Sequence, residues 1–435
     1  MVVGKICARA AIFVAAVALT PGLTGAQNPA NSPNRLNVDP APRYRADGPD
    51  ADAYGRMQRY PSCRGLQYID DRKCRVGAFG NYDALFPARR VAAAKTPVRL
   101  KRAATEPDTH YTFAGETRTL DQYLDFNHVT GFIVARGDTI LIERYQYGQN
   151  DKTRFTTFSV AKSIVGILIG IAVDEGAIRS IDDLAEAYVP ELAGTEYGRT
   201  SIRALLHMAS GVAFREDYAD KSSDIHTLAH LTLEQDPGGA IAALKRFNVR
   251  RAPPMREFSY SSADTLVLGL VLARATRRPV ADYVQAKLWE PIGAEADASW
   301  NVDATGQEIT FAYFNAVLRD YARLGLMLAH EGLWHGKRVL PQPWLLAAST
   351  VTPDSPFAAR PTLDGGRLKY GRQFWLLPTP TRTYMMLGLR GQFVLIDPDL
   401  NLVLVQTALR DNFRQGELLT LWRTLAGRLA QANGK

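Results

Sequence analysis

Three cysteines in 435 residues are too few for a disulfide scaffold or a cysteine-built metal centre. No apolar run reaches the roughly 20 residues that a membrane span needs. The stretch from Ala10 to Leu19 stops at half that length. Gly-x-Ser-x-Gly is missing, which excludes the nucleophile elbow of the α/β-hydrolases. His-Glu-x-x-His is missing too: His226 and His230 are four residues apart without the glutamate, and His330-Glu331 stands one residue too far from His335. A zinc-hydrolase reading therefore has no ligand set, and no cofactor is implied. The formal net charge of +8 is dispersed, with no basic block interleaved with aromatics, so nucleic acid is not an expected partner. No internal repeat is present.

What is present is a globular composition, 46% hydrophobic and 22% charged, on a chain long enough for a large core. Residues 1–26 carry Lys5 and Arg9, then the short apolar stretch, then Thr24-Gly25-Ala26. This order predicts a secretory signal peptide cut after Ala26, a secreted or periplasmic protein, and no membrane attachment once the signal is removed. Cleavage leaves two cysteines, Cys63 and Cys74, which an oxidising compartment predicts to pair. Residues 27–125 read as an N-terminal extension. Its first half is rich in Pro, Asn, Asp and Arg and reads as a linker.

From residue 126 the pattern changes. "TGFIVARGDTILIERYQYG" predicts a hairpin turning at Arg136-Gly137-Asp138. The run from Ile164 to Val173 is apolar or glycine on every side, so it predicts a helix buried all round, ending near Gly176. Ser180 and Asp183 offer an N-cap pair for a following short helix. Residues from about 200 to 300 read as helix and loop, with "TSIRALLHMASGV" as one helix closing on Gly211 and "SADTLVLGLVLARAT" as another. Strands return in "YGRQFWLL", "TYMMLGL", "QFVLIDP" and "NLVLVQTAL", the last two joined by a hairpin at Asp397-Pro398-Asp399. A terminal helix places Leu418, Leu421, Trp422, Leu425 and Leu429 on one face. Strands early and late with helices between predict an α/β (α+β) fold. An antiparallel sheet is covered by helices, a helical lobe is inserted at about 200–300, and a cleft lies between the lobes.

Chemistry enters at "FTTFSVAKSIVG". Ser159 and Lys162 are three apart and share a face at a helix start. The free N–H groups and partial positive charge there favour the oxyanion that forms when a serine attacks a carbonyl. A lysine in a dry site loses affinity for its proton and can act as the base. Tyr260, in "YSSADTLVLG", could relay a proton to the leaving group. Gly388-Leu389-Arg390-Gly391-Gln392 is glycine-flanked, and its backbone could supply the second half of an oxyanion hole.

Ser-x-x-Lys, then Tyr-x-Ser, then a glycine-containing strand, in this order and spacing, resembles the serine β-lactamase and penicillin-binding superfamily. The chain looks most like the class C-related branch, with its esterases and 6-aminohexanoate-oligomer (nylon-oligomer) hydrolases. "SIRALLHMASGV", "RDYARLGLML" and "WEPIGAEADASW" support this, and the likeness runs over about residues 125–430. It implies a β-lactamase/transpeptidase-like fold for residues 126–435. It also implies Ser159 as the acylated nucleophile, Lys162 as base, Tyr260 as proton shuttle, and the backbone N–H groups of Ser159 and Gln392 as oxyanion hole. Ser262 stands where many members carry Asn. Tyr218, with Asp217 or Asp224 of its loop, Asn315, Arg390 and Gly391 are further candidates for substrate contact. Leu389 stands where β-lactamases and carboxypeptidases usually carry Lys or His, and strand alternation would turn Arg390 to the other face. That favours small neutral esters or linear amides over penicillins or D-Ala-D-Ala peptides, which form the alternative reading. A second alternative is a non-catalytic sensor that keeps the fold.

Overall fold

In the computed structural model the described residues are 41–433, apart from 352–357, 362–366, 380, 412 and 414. The expected signal peptide and the first part of the linker lie outside them. The sheet starts with the expected hairpin: β1 (Val129–Arg136) and β2 (Thr139–Tyr145) turn at Gly137, whose φ of +64° is readily adopted by glycine. Helix α1 (Val160–Asp174) follows, and Val160 to Ala172 are all buried. Gly176, with φ +73°, ends it by donating to the Val173 carbonyl. Helix α2 (Ser262–Thr276) packs on α1, and α3 (Leu318–Ala329) packs on the sheet. Then come β3 (Tyr384–Gly388), β4 (Gln392–Asp397), β5 (Leu402–Ala408) and the terminal α4 (Gln415–Asn433).

The central strands run in the order β2-β1-β5-β4-β3, every pair antiparallel, within a sheet of ten strands among the described residues. Both ends of the chain thus build one sheet, as the sequence predicts. Its period of two sorts the side chains onto two faces. Ile133, Ala135, Val394, Ile396, Val403 and Val405 join the core that holds α1, α2 and α3. Their neighbours Phe132, Val134, Leu395, Leu402 and Leu404 join Leu418, Leu421, Trp422 and Leu425 of α4 on the other face. With both faces covered, the middles of these strands are apolar on both sides.

Several expectations change. The helix read from "TSIRALLHMASGV" is only Ile202–Leu206, because Met208 at φ +54° leaves the helical path before Gly211. Ser180 caps the Asp182 turn, whereas the next short helical turn starts after Leu184. "YGRQFWLL" is split into Arg367–Tyr370 and Trp375–Leu376. A second sheet, with Ala88–Val91, Ala298–Asn301, Phe314–Val317 and Arg154–Thr156 in that order, went unpredicted, since strands of three or four residues show no readable period. The extension also does not stand apart. Arg43–Tyr44 and Lys101–Arg102 pair in parallel with β2, and the described residues form one compact unit. Cys63 and Cys74 are disulfide-bonded, with Cα atoms 5.4 Å apart.

Candidate active site

The short strand Arg154–Thr156 brings the chain to the start of α1. Phe158, at φ +45°, turns it sharply, and Ser159 takes the N-cap position. A left-handed non-glycine residue is strained, and it persists here because the ring is packed against Phe79 and Tyr82. The Ser159 side chain does not cap the helix. Its Oγ instead lies 2.8 Å from Lys162 Nζ. The ordinary structural role of such a serine is therefore absent.

Lys162 is 1% exposed. Its Nζ has three oxygen neighbours: Ser159 Oγ at 2.8 Å, the Phe311 carbonyl at 2.8 Å and Ser262 Oγ at 3.1 Å. Burial pulls its pKa down to about 8, opposed by the charge of Glu216. The three neighbours are not equivalent. A carbonyl can only accept. The Ser262 hydroxyl donates its own proton to Glu216 Oε1 at 2.9 Å, so it too accepts from lysine. When Lys162 is neutral, its two N–H bonds are held by Phe311 and Ser262, and its lone pair is left facing Ser159.

Tyr260, just before α2, lies beside the amine, with Lys162 Nζ 5.1 Å from its ring centroid. Its ring stacks on Trp375 at 5.5 Å and meets Tyr370 edge-on at 6.1 Å. The strand β3 comes close because residue 388 is glycine: a Cβ there would sit 2.1 Å from the Thr157 carbonyl oxygen. The β3–β4 turn is thereby held against the nucleophile turn.

A cavity of about 320 Å³ opens beside Ser159. Ser262 and Tyr218 line it, as their candidacy requires. Leu389 and Arg390 both line it, which corrects the expectation that alternation would turn Arg390 away. Arg390 is not in a strand but in the turn, at φ +62°. Its guanidinium is bonded to Asp411 Oδ1 at 2.8 Å, a carboxylate that it shares with Arg75 at 2.6 Å. Asn315 is corrected as well: it is fully buried and ties the small sheet together through Asn301 Oδ1 at 3.0 Å and the Tyr313 carbonyl at 3.1 Å. Gly391, at φ +90°, serves the turn and faces Phe413. Asp217 accepts from the Ala219 N–H and Asp224 from the Arg215 N–H, so both shape their loop. The Gln392 side chain is buried, donating to the Leu389 and Ala408 carbonyls.

Sequence reasoning passed over Glu216, two residues from Tyr218. Its carboxylate accepts from the Ser262 N–H at 2.6 Å, from the Ser262 hydroxyl and from the Tyr218 hydroxyl. The loop was recognised as interesting, but nothing in one sequence marks which of its four acidic residues turns inward. Because Glu216 favours the ammonium form of Lys162, Glu216→Gln is expected to lower the lysine pKa. The acidic limb of the kcat/KM profile, near pH 8 in the wild type, should move to lower pH by roughly one unit. A limb that stays in place removes Glu216 from the control of the base.

The family model described as Beta-lactamase matches residues 118–422. A 6-aminohexanoate-dimer hydrolase of Paenarthrobacter ureafaciens is 30% identical over 347 residues, which cover 76% of this chain and 84% of that protein. Among solved structures, one provisionally named a 6-aminohexanoate-dimer hydrolase from Bacillus anthracis superposes with a TM-score of 0.75 at 24% identity, covering 84% of this chain and 96% of that one. EstCE1, a hydrolase with promiscuous acyltransferase activity, superposes with a TM-score of 0.55 at 18% identity, covering 70% and 95%.

Proposed function

The chain belongs to the Beta-lactamase family and is a serine hydrolase, and on that premise we propose that it cleaves small esters and linear amides through an acyl-enzyme on Ser159. The observation that carries this reading is the buried lysine whose lone pair, once the proton is gone, has only Ser159 to face. Neutral Lys162 takes the Ser159 proton as Oγ attacks the carbonyl carbon. The new oxyanion is stabilised by the N–H of Ser159 at the start of α1, whereas Gln392, paired with Gly388 in the β3–β4 hairpin, does not line the cavity. Tyr260 passes the proton to the leaving oxygen or nitrogen. Water then repeats the sequence on the ester of Ser159 and frees the acid.

Tyr260→Phe tests the relay. A nitrophenolate leaves without a proton, whereas an amine does not. The substitution is expected to slow amide hydrolysis by about 10²-fold and p-nitrophenyl esters by much less. Equal effects on both substrates would take Tyr260 out of leaving-group protonation.

The substrate class rests on the wall. The cavity presents Phe158, Phe311, Leu389 and Ile225. That hydrocarbon suits the methylene chains of a linear amide or alkyl ester, in keeping with the substrate in the name of the Paenarthrobacter relative. A panel of p-nitrophenyl esters, 6-aminohexanoate dimer, nitrocefin and a D-Ala-D-Ala peptide tests it. Turnover of nitrocefin or the peptide above the esters and the dimer would overturn the choice. Export belongs to the proposal as well, supported by residues 1–26 and by the Cys63–Cys74 bridge. An intact mass that still includes residues 1–26 would refute it.

A further inference from the structure

We propose that the disulfide-bridged segment Cys63–Arg75 is a specificity wall of the active site, built to take an unbranched alkyl chain on one side of the scissile bond. This deepens the reading above and rests on it. Two residues of the segment, Tyr68 and Ile69, line the same cavity as Ser159. They come from a part of the chain that lies ahead of the early hairpin and carries none of the catalytic candidates.

The segment is fixed in place on every side. Cys63 and Cys74 join its ends across eleven positions. Arg75, itself buried, donates to the Tyr68 carbonyl at 3.2 Å and the Ile69 carbonyl at 3.1 Å, so it holds the backbone of both wall residues. The same guanidinium bonds Asp411 at 2.6 Å, and Asp411 grips Arg390 of the opposite wall. Lys221 reaches Asp70 at 2.8 Å and ties the segment to the loop that carries Tyr218. The Tyr68 hydroxyl is turned to Tyr82 and bonded to its hydroxyl at 2.8 Å, and Tyr82 stacks on Tyr313, another wall residue, at 5.0 Å. What Tyr68 and Ile69 offer the cavity is therefore hydrocarbon.

Phe158, Ile225 and Phe311 line the same cavity. A hydrocarbon lining of this kind gains from each methylene it covers, roughly three- to fourfold in binding. Polar chain atoms would lose water there with no partner in return. The wall thus selects chain length and apolarity, and the disulfide holds the wall in place. Arg75 is a positioning residue, acting through the carbonyls it holds.

The test uses the full-length oxidised enzyme and two series: p-nitrophenyl acetate, butyrate and hexanoate, and ethyl, butyl and hexyl acetate. In the wild type KM should fall with chain length in one series. In Ile69→Ala, KM for the six-carbon member should rise about tenfold, against less than twofold for the two-carbon member, with kcat little changed, since uniform binding is what is lost. Ile69→Leu should restore the preference. Cys63→Ser/Cys74→Ser should flatten the same series. Ile69→Ala and the double serine variant both keeping the wild-type chain-length dependence in both series, while a fluorophosphonate still labels Ser159, would overturn the wall and leave the serine hydrolase standing. Wild-type enzyme that is neither labelled nor active on any ester or amide would overturn the premise itself.

Discussion

Lys162→Met is expected to lower kcat/KM by about 10²–10⁴-fold and, at pH 7, to make the protein more stable. The first effect follows from losing the group that takes the Ser159 proton. The second follows from linkage. Burial lowers the lysine pKa from its ordinary 10.5 to about 8. Below pH 8 both folded and unfolded chains hold the proton, and the folded state carries the full cost of a buried ammonium. Between about 8 and 10.5 only the unfolded chain holds it, so the cost fades as pH rises. At pH 7 that cost is about 3 kcal/mol by the size of the shift. Methionine removes it but leaves the Phe311 carbonyl without its donor, which returns about 1–2 kcal/mol. A net gain of about 1–2 kcal/mol is expected at pH 7, shrinking by pH 10. Urea denaturation at the two pH values measures it. A variant less stable than wild type at pH 7 would show that the amine is not strained, and one that keeps its turnover would show that it is not the base.

Ser159→Ala should cost about 10⁴-fold or more in kcat and abolish labelling by a fluorophosphonate. The loss is large because the nucleophile and its base act as a unit. Lys162 without Ser159 has no proton to accept, and its lone pair faces an empty methyl. Stability should fall by only about 1–2 kcal/mol, because Ser159 Oγ does not cap α1 and what is lost is its hydrogen bond from Lys162. That separates a chemical effect from unfolding. Equal labelling of wild type and variant would place the nucleophile elsewhere. An unlabelled wild type that still binds a substrate analogue would favour the non-catalytic sensor.

Much of the architecture is written in local patterns. The hairpins at Gly137 and at Asp397-Pro398, the all-apolar α1 and the Leu-rich face of α4 each follow from a period, a turn residue or a cap within about twenty positions. The pairing of Ser159 with Lys162 is equally local, because three residues on a helix share a face. Legibility fails where a role depends on what lies opposite. Asn315 looks like a substrate contact in sequence, yet its amide is spent on Asn301 and Tyr313. Arg390 appears to alternate away, yet a left-handed turn residue follows no strand alternation and faces the cavity. Short strands such as Arg154–Thr156 carry no period at all.

Spacing and composition alone place Ser159 beside Lys162 at a helix start, build one sheet from both chain ends and pair the two cysteines. These depend on spacing along one element or on chemistry few residues can supply. Tertiary contacts alone set Glu216 against Ser262, make Arg75 and Arg390 share Asp411 and bring the bridged segment ahead of the early hairpin to the cavity. Those contacts join residues as far as 336 positions apart, as Arg75 and Asp411 are. Long-range contacts of this kind are set by which surfaces meet when the chain closes on itself, and no periodicity along the chain records that.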